Sequence, residues 1–131
     1  MTLRDRIKRH EGYSTTPYQD TEGFWTVGIG RCMDKTPFSD AEIEFMFDND
    51  LSRAFSAADM LAPHLTGARR EVVVEMCFQM GAKGVSKFRR FLAATEAHQW
   101  DIAAKEMLAS KWAVQTPGRA KELAEIMREG R

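Results

Sequence analysis

No stretch of these 131 residues holds about 18 consecutive apolar positions, so no segment is expected to cross a membrane. The opening Met1-Thr2-Leu3-Arg4-Asp5-Arg6 carries charge but no apolar run, so a secretory signal is not expected there. Cysteine is scarce. Cys32 and Cys77 are the only two, and neither belongs to a C-x-x-C pair. That usage argues for reduced thiols in a cytoplasmic product, with a bond between the two as the open alternative. His64 and His98 are isolated, and His10-Glu11 lacks a second histidine because Ser14 stands in its place, so neither a metal nor a cofactor is expected. Gly28-Ile29-Gly30 is no dinucleotide loop, since Met33 occupies the third glycine's position and no helix pattern opens there. Repeats, linkers and low-complexity segments are also missing. What remains is a single domain, long enough to bury a core and to be divided into two lobes.

The net charge of zero conceals an uneven distribution. Between Ser39 and Met60 stand six acids (Asp40, Glu42, Glu44, Asp48, Asp50, Asp59) and one base, Arg53. After Met60 the balance reverses to twelve bases against eight acids. A mildly basic C-terminal half suits an anionic polymer, and an ordinary solvated helical surface looks the same.

The most informative stretch runs from His10 to Gly30. Thr2 followed by Asp5 reads as a helix cap, and Leu3 and Ile7 share one helical face, so a helix is predicted from Leu3 to about His10, stopping near Gly12. Glu11 then faces the negative end of the helix dipole, which disfavours its ionised form, as a general acid requires. A solvated helix-end Glu balanced by Arg4, Arg6, Lys8 and Arg9 fits the same letters. Tyr18 and Phe24-Trp25-Thr26-Val27 have strand character around the turn residues Asp20-Thr21-Glu22-Gly23, which predicts a hairpin with Asp20 solvated at its tip. Two carboxylates in contrasting environments, with the Thr26 hydroxyl to hold a water, are what hydrolysis of a glycosidic bond needs. Acid pairs in loops are nonetheless common.

The rest of the chain reads as helices. Ser39-Asp40-Ala41-Glu42 is a capping box, with Phe38 and Ile43 as its hydrophobic staple. Ile43, Phe47, Leu51, Phe55 and Ala58 then recur at helical spacing, and about 22 residues span roughly 33 Å, enough to join two lobes. From Gly67, Val72 to Met80 is apolar on most faces and predicts a central helix closed by Gly81 and Gly84. Shorter helical faces follow at Val85–Leu92 and Trp100–Leu108. Thr116-Pro117 predicts an N-cap with proline at the first position of a final helix toward Met127.

Glu11-Gly12, Tyr18-Gln19-Asp20-Thr21-Glu22-Gly23 and Thr26-Val27-Gly28-Ile29-Gly30 resemble the phage lysozymes of the T-even type. So do Phe78-Gln79-Met80-Gly81, Trp100-Asp101, Ala103-Ala104, Trp112, Gln115-Thr116-Pro117 and Arg119-Ala120, in the same order over most of the chain. The resemblance implies a lysozyme-like α+β fold, with a small β-hairpin N-terminal lobe (1–38), a long connecting helix (39–60) and a helical C-terminal lobe (61–131). It implies cleavage of the β-1,4 bond between N-acetylmuramic acid and N-acetylglucosamine in peptidoglycan by an inverting acid/base mechanism. Glu11 would be the general acid, Asp20 would handle the water side and Thr26 would position the water. Glu22, Gly30, Cys32, Phe78 and Gln79 would contact substrate, with Gly30 letting sugar approach the backbone. Arg119 would reach toward Glu11. Arg31 stands where the family usually has histidine, so an Arg31–Asp50 pair is expected in place of the usual one. The expected setting is a monomeric endolysin without cofactor, nucleic-acid partner or membrane span. It would be held in the host cytoplasm until a holin-type partner gives access to the wall in the periplasm. The alternatives are a catalytic fragment of a larger secreted effector or tail protein, or a wall-binding module without turnover.

Overall fold

The computed structural model describes residues 1–131, an α+β arrangement of seven helices and one small antiparallel sheet. The chain divides into two compact units, Met1–Phe45 and Met46–Arg131, and the boundary falls inside one long helix.

In the N-terminal unit, α1 (Leu3–Glu11) is held by its ends, since none of its residues is buried. Asp5 N–H donates to Thr2 Oγ1 at 3.1 Å and Thr2 N–H donates to Asp5 Oδ2 at 2.9 Å, a closed capping box. The helix ends one residue later than the pattern predicts, at Glu11, where Gly12 N–H donates to Lys8 O at 2.9 Å. Three strands follow in the order β1 (Ser14–Gln19), β2 (Trp25–Gly28), β3 (Arg31–Cys32). Tyr18 pairs with Thr26 and Gln19 with Trp25, and Asp20 N–H to Phe24 O at 2.8 Å closes the predicted hairpin. The pairing is irregular between Ser14 and Tyr18, where Pro17 has no N–H to give the ladder.

The long helix α2 (Asp40–Leu61) opens with the predicted capping box: Ser39 N–H donates to Glu42 Oε1 at 2.9 Å and Glu42 N–H to Ser39 Oγ at 3.2 Å. Only Ala54 and Ala58 are buried along it, both in its second half.

The second unit packs α3 (Gly67–Ser86), α4 (Arg89–Glu96), α5 (Trp100–Leu108), α6 (Lys111–Gln115) and α7 (Pro117–Glu129) with the end of α2. Its fully buried side chains include Met76, Phe91, Met107, Met127, Val72, Val73 and Val85. Each such large apolar side chain contributes about 1.5–3 kcal/mol through burial. α3 buries Val72, Val73, Val74, Met76, Cys77 and Val85, in line with its apolar pattern. Gly81 interrupts it, as the pattern predicts, whereas Gly84 does not. Gly81 breaks the helical geometry at φ 75°, ψ 166°, and the helix then resumes to Ser86. The sequence pattern did not reveal α6, which is too short for periodicity; Ser110 Oγ caps it by accepting from Ala113 N–H at 3.2 Å. The final helix starts at Pro117 as predicted, but Thr116 is not its side-chain cap. The Thr116 hydroxyl donates back to Trp112 O at 3.0 Å, closing α6 instead.

Candidate active site

Each predicted catalytic side chain of the N-terminal unit is placed by a short local device. Glu11 is the last residue of α1 and is exposed. Its nearest constraint is Gly30, whose φ is +67°. A methyl group on Gly30 would lie 2.6 Å from Glu11 Oε2 and 2.8 Å from Glu11 Cβ. The side chain that Gly30 makes room for is therefore the Glu11 carboxyl.

Asp20 is not the freely solvated tip residue the pattern suggests. It is half-buried, and its Oδ1 accepts both Glu22 N–H and Phe24 N–H at 2.9 Å. These two bonds are an Asx turn that fixes the carboxylate, and neither of them uses Oδ2. Glu22 itself is exposed on the turn.

Thr26 lies on the central strand, opposite Tyr18 on one side and Cys32 on the other, and is only 5% exposed. Directly opposed residues share a sheet face, so Cys32 flanks Thr26. The Thr26 hydroxyl donates to Phe24 O at 3.3 Å. With its one proton used there, Oγ1 meets any further partner as an acceptor.

Support comes from residues the pattern did not single out. Asp34 Oδ2 accepts Trp25 N–H at 3.3 Å, and Lys35 Nζ sits 5.0 Å from the Phe24 ring centre, both bracing the hairpin. The expected Arg31–Asp50 pair does not form. Arg31 Nη1 lies 2.6 Å from Glu42 Oε2, while Asp50 is paired with Arg53 one turn along α2. Glu42 serves two partners: Oε1 caps α2 and Oε2 meets Arg31. The Arg31 guanidinium, followed by the Ser39 backbone and hydroxyl, pulls the Glu42 carboxyl down to a pKa of about 2. Nothing in the sequence ranks Glu42 above Asp50 as the partner, since both are acids of the same helix.

In the second unit, Asp50 and Phe78 line one cavity of about 500 Å³ together with Arg53, Cys77 and Gly81. Phe78 is exposed and meets Phe47 edge-on, with ring centres 5.7 Å apart. Gln79 Oε1 accepts Trp112 Nε1–H at 2.9 Å, which orients its amide and leaves the NH2 group as a donor. Arg119 donates from Nε to Glu75 Oε2 at 2.7 Å. Both cysteines are free thiols, and burial pushes the Cys77 thiol up to about 11, so it is unreactive near neutral pH. No group of three or more His, Cys, Asp or Glu side chains is arranged to hold a metal.

A sequence profile described as phage lysozyme matches residues 8–128. The chain is 29% identical to the Probable T4-type lysozyme 2 of Dictyostelium discoideum, over 98% of this chain and 95% of that protein. It is 27% identical to the Probable T4-type lysozyme 1 of the same organism, with the same coverage. The Pre-baseplate central spike protein Gp5 of Enterobacteria phage T4 is 29% identical over 99% of this chain, which spans 28% of Gp5.

Proposed function

Because this chain belongs to the phage lysozyme family, whose members are glycoside hydrolases, we propose that it cleaves the β-1,4 bond between N-acetylmuramic acid and N-acetylglucosamine in peptidoglycan. Glu11 donates a proton to the leaving glycosidic oxygen. A water attacks the anomeric carbon from the opposite face, and its proton passes to Asp20. The observation that carries this assignment is the hydrogen bonding around Asp20 and Thr26. Oδ1 of Asp20 is bound to the turn, so Oδ2 is the oxygen that takes the proton. The Thr26 hydroxyl, having donated to Phe24 O, accepts one hydrogen of the water and leaves a lone pair for attack. Direct attack by water inverts the anomeric centre. Glu22 and Cys32 of the first unit and Phe78 and Gln79 of the second are the proposed sugar contacts, with the free Gln79 NH2 as donor to an acetamido carbonyl.

The endolysin role, action as a monomer, and retention in the host cytoplasm until a holin-type partner opens the way to the wall belong to the same proposal and rest on family membership alone. A second reading, catalytic domain of a tail protein, is favoured by the match to Gp5 over nearly the whole chain. The test of the chemistry is Glu11→Gln, which keeps shape but cannot donate the proton. Clearing of permeabilised Gram-negative cells should fall about 10²- to 10⁴-fold, the usual contribution of a general acid. A variant retaining a tenth of the wild-type rate would overturn the assignment.

A further inference from the structure

His98 has a positive φ of 54° and is the only residue other than glycine that does. It sits where α4 gives way to α5: its N–H donates to Thr95 O at 3.1 Å, and Gln99 N–H donates to Ala94 O at 2.9 Å. Such a helix end is normally made by glycine, which adopts this backbone without steric cost. A side chain kept at a strained position points to a use for that side chain. Here the imidazole lies nearly parallel to the Trp100 indole, with ring centres 5.1 Å apart and planes at 16°. The Arg69 guanidinium carbon is also 4.0 Å from the Trp100 ring centre, and Arg69 is anchored by hydrogen bonds to Met127 O at 2.7 Å and Arg128 O at 2.9 Å. The indole is thus braced by a side chain that is itself tied to the end of α7. An exposed aromatic ring rests on this rigid base.

The two rings open onto a cavity of about 470 Å³ completed by Gln99, Asp101, Ile102 and Arg128. Asp101 and Arg128 lie 3.6 Å apart and cancel each other's charge, so the cavity offers no net field to a polyanion. Flat apolar ring surface beside planar hydrogen-bonding groups matches a neutral ring with one apolar face and a rim of hydroxyl and acetamido groups.

We propose that this cavity, on the second unit at the α4–α5 turn, is a non-catalytic binding site for the N-acetylated sugars of a glycan strand. An N-acetylhexosamine stacks its apolar face on the exposed ring of His98, which Trp100 backs, and hydrogen-bonds to Gln99 and Asp101. The identity of the sugar rests on the muramidase reading; the site itself rests on the stack and the cavity. Its use would be to keep the enzyme on an insoluble polymer between cleavage events.

The test uses the full chain and His98→Gly, with Asp101→Ala as a second variant. Glycine fits the backbone at this position, so His98→Gly should fold at least as stably as wild type. Its turnover of a short soluble muropeptide-derived oligosaccharide should be unchanged. Its retention on insoluble peptidoglycan, measured by sedimentation in a Glu11→Gln background, should weaken roughly three- to tenfold. Asp101→Ala should weaken retention in the same direction. Wild-type retention in both variants would overturn this inference while leaving the muramidase reading intact. Wild-type protein that neither cleaves nor binds peptidoglycan would overturn both.

Discussion

Gly30→Ala offers the sharpest test of how the fold holds the acid. The added methyl would sit 2.6 Å from Glu11 Oε2, 2.8 Å from Glu11 Cβ and 3.2 Å from Glu11 Cδ. The carboxylate oxygen can swing away. Glu11 Cβ cannot, because it is fixed to the α1 backbone, so either the helix end or the β2–β3 turn must shift. Relieving a 2.8 Å carbon contact requires roughly 1 Å of movement toward ordinary van der Waals separation. Overpacking of this kind costs about 1–3 kcal/mol, and alanine at a left-handed φ adds about 1–2 kcal/mol. Gly28→Ala is the matched control, with φ +70° but no atom within 4 Å of the added methyl. It should carry the backbone cost alone. Thermal unfolding should therefore place Gly28→Ala below wild type and Gly30→Ala lower still. With Glu11 as the proposed general acid, a displacement of about 1 Å should cost on the order of 10²-fold in rate, so turnover of a soluble oligosaccharide should fall that far in Gly30→Ala and much less in Gly28→Ala. Equal turnover in the two variants would refute the claim that Gly30 positions Glu11.

Thr26→Val keeps the buried shape but removes the proposed acceptor for the attacking water; kcat should drop while KM stays near wild type if that interaction belongs to the transition state. A raised KM with unchanged kcat would make Thr26 a simple binding residue. Proton NMR of the fresh reducing end should show the α-anomer first, and an initial β-anomer would mean retention and end the direct-water mechanism. For Glu42, the carboxyl is depressed in the folded chain from 4.5 to about 2, chiefly by Arg31. A depressed carboxyl stabilises the fold above its unfolded value and loses that contribution as pH falls through the folded one. The stability gap between wild type and Arg31→Gln should accordingly be constant above about pH 5 and shrink steadily toward pH 2. A gap that instead changes between pH 6 and 8 would assign it to another group.

The features that the sequence alone determined are those whose partners lie within one helical turn or one hairpin. The Thr2–Asp5 and Ser39–Glu42 boxes each join residues three apart, so donor, acceptor and helix start are all written in four letters. The hairpin around Asp20 and the buried residues of α3 follow from equally local patterns, turn residues in one case and an apolar run in the other. Glu11, Asp20 and Thr26, the residues proposed for the chemistry, lie together in one nearly continuous stretch of sequence. Tertiary structure decided the choices among chemically equivalent partners. By sequence, Glu42 and Asp50 are equally eligible partners for Arg31, and only the folded chain pairs Arg31 with Glu42 and Asp50 with Arg53. Arg119 is paired with Glu75 across 44 residues of sequence, a choice no local pattern encodes. Gly30 meeting Glu11, and His98 stacked on Trp100 beside Arg69, likewise exist only after the chain has turned back on itself. A cap is satisfied by neighbours in sequence, whereas an ion pair or a stack is satisfied by whichever suitable group the fold brings within reach.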